Sequence, residues 1–123
     1  MWTWGQTTGG LLDPAHRWIA NGYSGIGAGK NNPVMQSVHS MGPIPCGHWT
    51  IDPARDDPHL GPCVMRLVPW PDTETFGRSG FYIHGDSHSH PGLASHGCPI
   101  LGPVTRSMIA GSTDRTLFVV PSL

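Results

Sequence analysis

The chain has 123 residues, seven Lys and Arg against eight Asp and Glu, and a formal net charge of −1. That length is one domain, residues 1–123, and its few scattered basic residues exclude the positive stripe that nucleic acid or an anionic membrane surface requires; no apolar run is long enough to span a membrane. Seventeen glycines and thirteen prolines approach the composition of disordered chains, yet five tryptophans and 37% hydrophobic residues give the chain enough to bury, so a turn-rich, mainly β domain is expected.

Short β-like runs lead the chain, at Trp2 to Gln6 and Gly10 to Leu12. The opening Met1-Trp2-Thr3-Trp4-Gly5 lacks the basic start and apolar stretch of a signal peptide, so work outside the cytoplasm would need a specialised export route. Asp13-Pro14 through Asn21-Gly22 has helix-style ends but also reads as a hairpin, the preferred reading, with a strand at His16 to Ala20. The segment Gly25 to Asn32 imitates a phosphate loop and fails the pattern, with Ser24 in place of the first glycine and Asn31 in place of Ser or Thr. It reads as a mobile glycine loop rimming a cleft. Further strands are expected at Trp49 to Ile51, Val64 to Val68, Phe81 to His84 and Thr116 to Val120. The single helix expected is Pro103 to Ala110, with Gly102 before it, proline in its first turn and Gly111 after it.

The three cysteines divide into Cys46 and Cys63, each after a Gly-Pro turn, and Cys98. The first two are either a disulfide between adjacent strands or a pair of small buried thiols. Cys98 sits in Ser95-His96-Gly97-Cys98, shortly after Ile83-His84-Gly85-Asp86. A thiol in a glycine turn beside histidines has the parts of a nucleophile: an imidazole to take its proton and backbone N–H groups for an oxyanion. The N–H of Cys98, with that of Gly97, is the candidate oxyanion donor; Pro99 has none to offer.

His84, at the end of an apolar run, is the preferred general base, and His96 a neighbour that shapes the site. Asp86 or a backbone carbonyl near Gly85 would orient the base through its other ring nitrogen. Arg78 and Arg106 are candidates for binding a substrate carboxylate. Two other readings remain open. His84, His88, His90 and His96 could form a zinc site, although no metal-ligand signature is present. Alternatively, Trp18, Trp49 and Trp70 could form a sugar-stacking face on a binding module without catalysis.

The string Ser95-His96-Gly97-Cys98 with Ile83-His84-Gly85-Asp86 resembles the L,D-transpeptidase (YkuD-like) catalytic domain, and more closely the small type VI secretion L,D-transpeptidase effectors. Thr8-Gly9, Tyr23-Ser24-Gly25, Lys30-Asn31-Asn32-Pro33, Gly42-Pro43-Ile44-Pro45, Gly77-Arg78 and Phe81 fit the same pattern, so the resemblance covers nearly the whole chain. It implies a β-sandwich or barrel with one short helix after the cysteine. It also implies a cofactor-free enzyme in which Cys98 is the nucleophile, His84 and His96 are catalytic, and Arg78, Gly85, Asp86, Ser95, Gly97 and Arg106 line the substrate. The substrate so implied is the peptidoglycan stem peptide. The implied activity is L,D-carboxypeptidase cleavage of the bond between the diamino acid and D-alanine, or exchange of D-amino acids. A secretion apparatus, an immunity protein and the periplasm of a target bacterium come with it. The chain departs from the general family at Pro99 and Ile100, where a β-branched residue and then arginine are usual. Its short interval between His84 and Cys98 implies an open cleft that favours water as acyl acceptor.

Overall fold

A computed structural model describes residues 1–123. Its strands are β1 (Trp2–Gly5), β2 (Gly10–Leu12), β3 (Trp18–Asn21), β4 (Gly47–Ile51), β5 (Arg55–Asp57), β6 (Gly61–Pro69), β7 (Tyr82–Ile83) and β8 (Thr116–Val120), with one helix, α1 (Pro103–Ala110). The sheet runs β3-β2-β1-β8-β4-β6-β5 and β7 pairs with β6, which makes a mainly β, curled half-barrel with a single helix. β1 and β8 are parallel, with Trp2 opposite Leu117 and Gly5 opposite Val120; the other ladders are antiparallel. Parallel neighbours cannot be joined by a tight turn, so the whole intervening chain forms the crossover.

Alternation explains which face closes. Trp49 and Ile51 of β4 and Leu117 and Val119 of β8 point inward, where they meet Trp4, Leu11, Met65, Phe81, Ile83, Leu101 and Ile109. Trp49 lies edge-on to Phe81, with ring centroids 5.1 Å apart at 69°, and its indole N–H donates to the Pro45 carbonyl. Helix α1 buries Ile109 against this core, with Pro103 in its first turn as expected.

Asp13 to Gly22 is a hairpin, but its strand starts at Trp18 rather than His16. The Asp13 carboxylate accepts the N–H groups of Ala15 and Arg17, and His16 closes the turn at φ 63°. The aspartate that resembles a helix cap therefore caps a turn. β5 was not expected, because Arg-Asp-Asp carries no apolar alternation; it forms because Asp57 accepts the His59 and Leu60 N–H groups and folds the strand back along β6. The Gly25 to Asn32 loop is tied down: Gly25 N–H donates to Ser95 Oγ, Ile26 N–H to the Met41 carbonyl and Ser24 N–H to Asn31 Oδ1.

Cys46, Cys63 and Cys98 are free thiols. Trp49 pairs with Pro69 and Ile51 with Leu67, so the β4–β6 ladder runs away from Cys46 toward Cys63 and leaves these two at its opposite ends. Cys46 donates instead to Gln6 Oε1. Nor do the three tryptophans share a face. Trp49 is fully buried, while Trp18, 58% exposed, lies on β3 at one edge of the sheet and Trp70 follows β6 at the other side.

Burial sets the expected effects of substitution. Trp49→Ala should lower the unfolding free energy by about 3–5 kcal/mol, whereas Trp18→Ala should cost about 1 kcal/mol or less. Urea denaturation followed by circular dichroism measures both.

Candidate active site

Cys98 lies on a segment that runs beside β7. His84 N–H donates to the Pro99 carbonyl and Leu101 N–H to the His84 carbonyl, which sets His84 opposite Ile100 in parallel pairing. One step along, Tyr82 N–H points at Cys98 Sγ, 3.4 Å away. The thiol thus takes the place of the next ladder carbonyl. Its own proton faces the Gly80 carbonyl at 3.6 Å. The Cys98 backbone N–H donates to no protein group, which leaves it free for an oxyanion. Gly97 N–H, in contrast, is bound to Ser95 Oγ, and the Gly97 carbonyl accepts the Ser24 hydroxyl.

Ser95 is fully buried and braces the turn, since its hydroxyl also donates to the Cys98 carbonyl at 2.6 Å. Gly97 holds φ 141°, and a Cβ there would stand 2.6 Å from Arg78 Nη2 and 2.9 Å from the Phe81 ring. Both the backbone and the packing demand glycine.

The guanidinium of Arg78, 7% exposed, packs beneath this turn. Its Nη1 donates to the carbonyls of Gln36 at 2.6 Å and Pro43 at 2.8 Å; its Nη2 donates to those of Gly42 at 2.9 Å and His96 at 3.3 Å. With both Nη groups committed, Arg78 does not present its fork to a carboxylate. It has no ion-pair partner, and its charge acts on the thiol. Burial pushes the Cys98 thiol above its ordinary 9.0, while the Tyr82 N–H and the Arg78 charge pull the other way.

His84 is buried, and its Nδ1 lies 2.9 Å from the Gly85 carbonyl. A carbonyl only accepts, so Nδ1 carries the proton and Nε2 presents a lone pair. Burial holds the imidazole below 6.5, and the Arg106 charge adds to that, against the Gly85 bond. The orienting partner is therefore the Gly85 carbonyl. Asp86 is engaged elsewhere, accepting from Tyr23 Oη at 2.6 Å and from the Ser87 and Gly92 N–H groups. Burial opposes the charge of Asp86, yet these bonds and Lys30 hold its carboxyl below the usual range; burial and the same carboxylate push Tyr23 up to about 12.

Apart from the buried Ser95, the expected site residues fall into two cavities. Cys98, His96, Gly97 and Arg78 line one of about 260 Å³, together with His39 and Ser40. His84, Gly85, Asp86 and Arg106 line another of about 930 Å³. The His84 ring and the Cys98 thiol share no hydrogen bond. The four histidines of the zinc reading do not converge: His96 Nδ1 binds the Ser40 carbonyl, His90 binds Ser89, and no three His, Cys, Asp or Glu side chains gather as ligands.

A family model described as the Tlde1 domain matches residues 19–115. The chain belongs to the Tlde1 domain family. This is a family of type VI secretion effectors that is L,D-transpeptidase-like. The matched span contains both cavities and every side chain named for the cysteine site. A search of curated proteins returned no match.

Within this Tlde1 domain, sequence reasoning missed His39 and Ser40. They belong to no motif and reach the cysteine cavity only because Arg78 pulls the 36–43 loop inward and His39 Nε2 grips the Phe76 carbonyl at 2.8 Å. The loop also carries Gly42-Pro43, the one signal that marked it. Arg78→Ala strands several buried carbonyls and should cost at least about 2 kcal/mol. It should also raise the apparent pKa of Cys98, read from the pH dependence of iodoacetamide alkylation.

Proposed function

We propose that this Tlde1 domain is a cysteine L,D-carboxypeptidase that removes D-alanine from peptidoglycan tetrapeptide stems, and that it exchanges D-amino acids where these replace water. The observation that carries the reading is a thiol open to a cavity, with an unpaired backbone N–H at its own residue and a buried, backbone-oriented imidazole two residues along the neighbouring strand. Membership of an L,D-transpeptidase-like effector family supports a peptidoglycan-modifying reaction.

In this reading Cys98 Sγ attacks the carbonyl carbon of the diamino acid at the third position of the stem. The Cys98 N–H receives the charge that develops on the carbonyl oxygen. The thiol proton passes to His84 Nε2 and then to the D-alanine amine as the C–N bond breaks, leaving a thioester on Sγ. Water attacks the thioester and gives its proton to His84; the tripeptide leaves as a carboxylate and the thiol is restored. Proton transfer requires the thiol to leave the Gly80 carbonyl and turn toward His84, the kind of tightening that substrate binding brings to such pairs.

Because Cys98 is shifted up and His84 down, the resting pair is a neutral thiol and a neutral imidazole rather than a preformed ion pair. Activity then requires unprotonated His84. The acid limb of kcat/KM should lie below pH 6.5.

A second reading follows from the cavity itself: His96 shares it with Cys98, with Nδ1 on the Ser40 carbonyl and Nε2 unoccupied by protein. His96 would then take the proton. His84→Gln and His96→Gln separate the two. Under the first reading His84→Gln lowers kcat/KM by about 10²-fold or more, and His96→Gln by less than about tenfold; the reverse order assigns the base to His96.

An antibacterial effector of this kind, delivered by a type VI apparatus into the target periplasm, would be held in check by an immunity protein in the producing cell. The test of the reaction is digestion of tetrapeptide muropeptides followed by mass spectrometry. Wild type should release D-alanine and Cys98→Ala should not. Equal cleavage by both would falsify the assignment.

A further inference from the structure

The larger cavity is lined by a cation that has no ion-pair partner. Arg106 is 6% exposed and forms no ion pair. Its Nε donates to the Leu101 carbonyl at 3.0 Å and its Nη1 to the Pro62 carbonyl at 2.6 Å, while Nη2 donates to no protein group. That Nη2 lies against Gly85, where a Cβ would stand 2.8 Å away, so glycine is what leaves room beside it. Backbone carbonyls satisfy donors without cancelling charge. A largely buried guanidinium with one N–H group open to the cavity therefore favours a carboxylate there.

The same cavity carries the opposite charge on Asp86, an exposed carboxylate positioned by Tyr23, Ser87 and Gly92. A cation and an anion lining one cavity complement a ligand that has both a carboxylate and an ammonium. At about 930 Å³ the cavity has room for more than one amino-acid residue. His84, on its wall, joins it to the chemistry proposed above.

We propose that the Arg106–Asp86 cavity is a subsite for a zwitterionic amino-acid head, with its carboxylate on Arg106 Nη2 and its ammonium on Asp86. The link to turnover rests on the cysteine reading; the binding does not. Two molecules carry such a head: the side-chain end of a diaminodicarboxylic residue in the stem, and a free D-amino acid entering by exchange.

The test uses Cys98→Ala protein, which reports binding without turnover, in isothermal titration calorimetry. The ligands are three stem tetrapeptides and free D-methionine. The stems contain meso-diaminopimelate, the same residue with its side-chain carboxylate amidated, or lysine. If the stem supplies the head, the diaminopimelate stem binds at least tenfold tighter than the other two, and adding Arg106→Gln equalises the three. If the free amino acid supplies it, D-methionine binds saturably and Arg106→Gln or Asp86→Asn abolishes this, with the stems alike. Equal stem affinities together with no D-methionine binding overturn the proposal. So does either preference if it persists in Arg106→Gln protein whose melting curve shows it folded. Should Arg106→Gln not fold, the ligand series on the Arg106-intact protein decides with Asp86→Asn beside it. Stem cleavage by Cys98→Ala would overturn the cysteine reading and leave the binding result standing.

Discussion

Arg78 sends its two terminal nitrogens to the carbonyls of Gln36, Gly42, Pro43 and His96, and so joins the 36–43 loop to the turn that carries Cys98. The need for such a joint follows from composition. A chain with thirteen prolines and short strands leaves many carbonyls without a ladder partner, and burial makes each of them costly. Arginine meets the need because its rigid fork offers five donors, where a lysine ammonium offers three on a flexible stem. Arg115 repeats the device, bonded to the carbonyls of Ile51, Asp52, Ile109 and Ser112. Ion pairs contribute little by comparison, since each of those present has an exposed partner.

The same joint has an electrostatic consequence. Arg78 is bound to carbonyls rather than carboxylates, so its charge remains available to the one nearby group that can become an anion, the Cys98 thiol. Burial works against ionisation of that thiol, and against protonation of His84. Burial thus favours the neutral form of both groups.

The parts of the site legible in the sequence were those fixed by short spacing. Ser95 to Cys98 forms one tight turn and His84 ends an apolar run, both readable from adjacent residues, whereas the pairing that sets the two segments side by side is tertiary. The helix after the cysteine was equally clear, since proline and glycine mark both its ends. What the sequence could not show was the work of side chains reaching across the chain. Arg78 and Arg106 look alike as isolated arginines among neutral neighbours. One has both Nη groups consumed by carbonyls and the other keeps one open. Asp86 looked suited to orienting His84, but Tyr23 claims it from a distant loop, and the carbonyl of Gly85 does the orienting. His39 and Ser40 came into view only with the fold.

The proposed reaction rests on acylation of Cys98 by the stem peptide. The most direct measurement is acid quenching of wild-type protein during turnover of a tetrapeptide stem, followed by intact-mass and peptide mapping by mass spectrometry. The account predicts an adduct equal to the stem less D-alanine, attached at Cys98 and lost on treatment with hydroxylamine. Turnover with no adduct at Cys98, or an adduct on another residue, would contradict it.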